Sequence, residues 1–138
     1  MQGYVSTSVE GRVAVEFLDP SDQSQARKYA FKCHRQKSKN AAGDEEDVVY
    51  PVNAISFHPR YKTFASGGGD GVISVWDLKA KKRVKQYPSV GSEVQILAFS
   101  PDSKFLAIGT GSLGSSEHLR DGKVYLRALA DGEGKGKS

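Results

Sequence analysis

The chain has 138 residues, enough for one modest domain, with 20 Lys and Arg against 16 Asp and Glu for a net charge of +4. A mild basic excess fits an acidic or phosphorylated partner but is too weak alone to argue for nucleic acid. One cysteine excludes an internal disulfide, and the sequence has neither 18 consecutive apolar residues nor a signal-peptide pattern, so a soluble nucleocytoplasmic protein is expected.

In chain order, Tyr4 to Ser8 reads as a strand and Val9-Glu10-Gly11-Arg12 as a turn. Val13 to Leu18 is the next strand, with Val13, Val15 and Phe17 on one face. After a turn at Asp19 to Asp22, Lys28 to His34 reads as an outer strand. Its Tyr29, Phe31 and Cys33 share one face, and Lys28, Lys32 and His34 the other. Residues 1–35 thus form a partial blade holding strands two to four. Residues 36–47 are polar, basic and then acidic, and read as a flexible linker.

Residues 48–88 hold a complete four-stranded meander. Val52 to Phe57 is followed by a turn at His58-Pro59, and Thr63 to Ser66 runs into Gly67-Gly68-Gly69-Asp70-Gly71. Val72 to Trp76 leads to Asp77, and Arg83 to Tyr87 closes the unit. Asp-Gly between β-branched runs is a strong hairpin signal, because the turn requires a positive φ that glycine adopts freely. The pattern returns 42 residues later: Ile55-Ser56-Phe57-His58-Pro59 becomes Leu97-Ala98-Phe99-Ser100-Pro101. Residues 91–128 form an incomplete last blade with strands at Val94 to Ser100, Phe105 to Thr110 and Lys123 to Arg127. Residues 129–138 are glycine-rich and read as a disordered tail.

A period in the low forties ending in Trp-Asp resembles the WD-repeat propellers, with the match specific at Ser66, Asp70, Gly71, Trp76 and Asp77. The fold class implied is all-β: a partial propeller of about three antiparallel four-stranded blades. The family's Gly-His pair before the first strand is replaced by Val48-Val49-Tyr50-Pro51, which predicts an incomplete His-Asp-Ser-Trp hydrogen-bond set. Propellers close with roughly four to eight blades, so the chain is expected to be the last part of a longer protein, with Met1 not its natural start. Alone, it should be weakly stable and self-associating.

Several motifs have competing readings. Gly109-Thr110-Gly111-Ser112-Leu113-Gly114 matches a dinucleotide fingerprint, but no apolar helical stripe follows, so a loop is expected. Cys33 reads as a buried thiol rather than a nucleophile, and His34, His58 and His118 show no metal spacing. Lys81-Lys82-Arg83-Val84-Lys85 is either a nuclear-localisation patch or a hairpin with solvated charges. Arg12, Lys28, Lys32 and Arg35 either converge on an oxyanion or form a solvated face.

Three strings carry a narrower resemblance: Glu10 to Phe17, Tyr29 to Arg35 and Tyr50 to His58. Over residues 3 to about 128 the chain resembles the C-terminal half of the mitotic spindle-checkpoint WD-repeat family named "budding uninhibited by benzimidazole, third member". The messenger-RNA-export WD-repeat family shares the first two strings. The resemblance implies a non-enzymatic seven-bladed propeller without cofactor or metal, found in the nucleus, at kinetochores in mitosis, and in the cytoplasm. Its implied partners are a checkpoint kinase and a kinase-like protein, through a Glu-containing segment, and phosphorylated Met-Glu-Leu-Thr repeats of a kinetochore scaffold. No membrane or direct nucleic-acid contact is implied. Carried over by motif, Arg12 and Lys32 hold phosphothreonine, and Arg35 pairs with a Glu of the kinase segment. The alternatives are an export adaptor at the nuclear pore, or a truncated propeller without binding function.

Overall fold

The computed structural model describes residues 2–111 and 122–136, and among these it holds twelve strands and one helical turn. The first sheet has the order β1-β2-β3, from β1 (Gly3–Thr7), β2 (Arg12–Phe17) and β3 (Tyr29–Lys32). A helical turn, α1 (Asp22–Gln25), joins β2 to β3 where a plain turn is expected, because the Ser21 side chain caps it by accepting from the Ser24 N–H. The WD blade is a four-stranded antiparallel sheet, β6 (Val52–Phe57), β7 (Thr63–Gly68), β8 (Ile73–Asp77) and β9 (Lys82–Tyr87). The last sheet holds β10 (Val94–Phe99), β11 (Phe105–Thr110) and β12 (Lys123–Ala128).

The WD blade is buried on both faces, which explains its unbroken apolar runs. Phe64 and Trp76 face the first sheet and pack with Val13, Val15, Phe31 and Val52. Ala65 and Val75 face the last sheet and pack with Val94, Leu97, Leu106 and Ile108. Each fully buried residue such as Phe64 or Leu106 contributes about 1.5–3 kcal/mol of transfer free energy. The Asp70-Gly71 turn forms as the sequence requires, with Gly71 at φ +75 and Asp70 Oδ1 accepting from the Val72 N–H at 3.2 Å. At the far end of the blade, His58 is buried against Tyr61 and Phe99, and its Nδ1 accepts from the N–H groups of Arg60 and Tyr61.

Three expectations are corrected. The segment expected as a flexible linker, 36–47, contributes to an antiparallel hairpin of β4 (Arg35–Lys39) and β5 (Glu45–Val49). Its register sets Lys37 opposite Asp47 and Lys39 opposite Glu45, so cross-strand charge attraction supports it where apolar alternation is lacking. The tail is ordered through residue 136: the Thr63 hydroxyl donates to the Gly134 carbonyl at 2.8 Å, and the Tyr87 hydroxyl donates to the Glu133 carboxylate. Lys85 and Glu133 also pair at 3.6 Å. Third, the His-Asp-Ser-Trp set is complete. His34 supplies the imidazole from outside the blade, with Nδ1 2.9 Å from Asp70 Oδ1 and Nε2 2.9 Å from Ser66 Oγ, while Trp76 Nε1 donates to the same Ser66 Oγ at 2.9 Å.

Lys81 to Lys85 spans the β8–β9 turn and the outer strand β9, where Lys81, Lys82 and Arg83 are exposed. Most of the 111–120 loop, with the glycine fingerprint's last three residues and His118, lies outside the described residues.

Candidate functional site: a cationic face on a clamped turn

Residues 8–12 form the turn into β2. The Ser8 N–H donates to the Arg12 carbonyl at 3.0 Å, and Ser8 Oγ accepts from the N–H groups of Glu10 and Arg12. Gly11 sits at φ +69, and its carbonyl accepts from the Cys33 N–H at 2.8 Å. A Cβ there would lie 2.6 Å from the Cys33 carbonyl oxygen, so glycine is required for both conformation and space. This contact fixes the turn against the end of β3.

Arg12 ends that turn as the first residue of β2, and in register it lies directly opposite Lys32 of β3. Both side chains are exposed. Like charges directly opposite on a sheet repel, so an anion between them would relieve the pair. Among the described residues, no ion pair involves either cation.

Arg35 joins them from β4. Its Nη2 donates to the Glu10 carbonyl at 2.9 Å, which brings the guanidinium to the turn that carries Arg12, and its buried Nε has no hydrogen-bond partner. The backbone reaches Arg35 through His34, at φ +52, whose carbonyl accepts from the Tyr50 N–H at 3.0 Å. His34 is in turn held by Asp70 and Ser66. The hydrogen-bond set of the WD blade therefore clamps the segment that presents Arg35. Lys28 is not part of this arrangement. It precedes β3 at the opposite end, four residues or about 13 Å of extended chain from Lys32.

Asp77, the last residue of the WD pair, acts elsewhere: its Oδ1 accepts from the N–H groups of Lys79 and Ala80 and shapes the β8–β9 turn. Cys33 is buried beneath the cationic face, and burial, aided by the charge of Asp70, pushes its thiol up to about 12. It stays protonated and is a poor nucleophile. No group of His, Cys, Asp and Glu among the described residues has a metal-holding geometry.

Sequence reasoning missed the roles of His34 and of the Glu10 carbonyl. The available signal was the buried-type Cys33 next to His34, directly before a charged insertion that separates them from the blade.

The WD domain, G-beta repeat family matches residues 47–77. The chain is 53% identical over 108 residues to Mitotic checkpoint protein BUB3.1 of Arabidopsis thaliana, covering 78% of this chain and 30% of that protein. It is 38% identical over 128 residues to Spindle assembly checkpoint protein bub3 of Schizosaccharomyces pombe, covering 93% and 37%. The Poly(A)+ RNA export protein of the same yeast is 44% identical over 98 residues, covering 71% and 26%. The chain therefore spans about a third of the length of the curated relatives it matches. It forms a partial WD-repeat propeller that is similar over most of its length to BUB3 mitotic checkpoint proteins, with the RNA-export WD-repeat proteins as a sister family.

Proposed function

We propose that this chain is part of a non-catalytic adaptor of the spindle assembly checkpoint, and that its cationic face binds phosphorylated and acidic peptide segments. One observation carries the reading: Arg12 and Lys32 stand opposite each other in register, beside an Arg35 held by the clamped His34 segment. Two cations on a rigid sheet form a cradle for phosphothreonine, because charge-assisted bonds to phosphate contribute roughly 1.5–3 kcal/mol each. Arg35, with its planar fork, suits a partner glutamate. The peptides are the Met-Glu-Leu-Thr repeats of a kinetochore scaffold and the Glu-containing segment of a checkpoint kinase or its kinase-like relative. The protein then works in the nucleus and at kinetochores in mitosis, and also in the cytoplasm. Similarity to an RNA export protein favours a second reading, an adaptor at the nuclear pore.

Affinity purification of the endogenous product with an antibody to residues 21–40, read by mass spectrometry, separates these readings. Checkpoint kinases with a kinetochore scaffold support the first, and nuclear-pore and export factors move it to the second. A bait of this chain's own mass with no specific partner contradicts both and leaves a truncated propeller without binding function.

A further inference from the structure

A second concave surface lies away from the cationic face, where β1–β3 meets the Asp77 end of the WD blade. It is a cleft of about 550 Å³. Phe17 lines one wall, Phe57 and Leu78 line the other, and Phe57 is 48% exposed. Tyr29 ties the walls together by donating to the Leu78 carbonyl at 2.9 Å. Four exposed cations, Arg27, Lys62, Lys79 and Lys81, stand around this apolar floor. The carboxylate among the lining residues is Glu16, and its Oε2 already accepts from the Tyr4 hydroxyl at 2.6 Å.

Two of the cations are positioned by aromatic rings. Lys81 Nζ lies 4.8 Å from the Tyr29 ring centroid, and the Arg27 guanidinium lies 5.4 Å from that of Phe17. Lys81 also sits at φ +56, a left-handed conformation that glycine adopts without strain and lysine does not. A lysine held at a strained turn position, with its ammonium over the cleft, is an outlier of the kind that marks function.

We propose that this cleft docks an extended acidic segment of a partner protein. One apolar side chain enters between Phe17, Phe57 and Leu78, and flanking carboxylates meet Arg27, Lys62, Lys79 and Lys81. Charge selects this occupant: four cations against one engaged carboxylate repel a basic segment, and a purely apolar one leaves the cations without counter-charge. The cleft is independent of the phosphate cradle. Arg12 and Phe17 occupy opposite ends of β2, five residue steps or about 17 Å apart, so both surfaces can be filled together.

The test titrates the 138-residue chain into a fluorescein-labelled Glu-Glu-Asp-Phe-Glu-Glu peptide and follows anisotropy. Saturable binding is expected, weakened about tenfold by Lys79→Glu with Lys81→Glu and by Ser in place of the peptide Phe. Lys81→Gly separates function from folding: it relaxes the turn and should melt no lower than the parent, yet bind about threefold or more weakly. The proposal is overturned by absence of saturable binding or by equal binding of a peptide with Lys at every acidic position. Indifference to both Lys79 and Lys81, or a dimer in which a second copy fills the cleft, overturns it as well.

Discussion

The WD blade meets a sheet on each side, and the two seams differ at the Asp77 end. Toward β1–β3 the fastening is at the Asp70 end, where His34 bonds Asp70 and Ser66, and the Asp77 end opens into a cleft. Toward β10–β12 the Asp77 end is covered: the C-terminal segment crosses it, held by Thr63, Tyr87 and Lys85. The same blade thus leaves an open cleft at one seam and a strapped joint at the other. The cationic face lies at the fastened end of the first seam, so the segment that carries Arg35 is held by hydrogen bonds to the blade.

The largest expected effect breaks the first fastening. His34 and Asp70 are almost wholly buried, and His34→Ala removes the imidazole that bonds both Asp70 and Ser66. A loss of about 3–5 kcal/mol is expected, read as the urea midpoint. Amide exchange should also rise at 33–35, the segment that presents Arg35. Truncation after Leu129 breaks the other seam. It removes the bonds to Thr63 and Tyr87 and should cost about 1–3 kcal/mol, with faster amide exchange in β7 and β9 and none in β1–β3.

A smaller effect comes from acid. Burial pushes the Glu133 carboxyl up, but the Tyr87 hydroxyl, the Ala130 N–H and the charges of Lys85 and Arg127 outweigh it and hold the group below its ordinary 4.5. A folded value below the unfolded one means that the strap's contribution is present above about pH 4.5 and is lost as pH falls through the folded value. Protection factors of the 130–136 amides, corrected for intrinsic exchange, should fall on acidification while those of β1–β3 hold. Glu133→Gln should remove that pH dependence, and its persistence in the variant would assign the effect to another group.

Much of this was legible in the sequence. The strands of the WD blade and the last sheet stood out as apolar runs between turn residues, and the 42-residue recurrence related one to the other. The closeness of Arg12 and Lys32 followed from adjacent strands joined in one meander. What was not legible had physical causes. The hairpin β4–β5 is solvated on both faces, so it leaves no alternation of apolar and polar residues and reads like a linker. His34 is separated from its blade by that same hairpin, so the expected position held Val48-Val49-Tyr50-Pro51 while the imidazole arrived from upstream. The strap is held partly through the Gly134 carbonyl, and a main-chain acceptor has no side-chain signature.

The central claim is that Arg12 and Lys32 form a phosphate cradle beside Arg35. The most direct test is calorimetric titration of the chain with one Met-Glu-Leu-Thr peptide in phosphorylated and unphosphorylated forms, repeated on Arg12→Ala. Tighter binding of the phosphorylated form is predicted. Arg12→Ala should weaken that form about tenfold or more and leave the unphosphorylated form nearly unchanged. Equal loss for both peptides, or no preference for phosphate in the parent chain, would contradict the cradle.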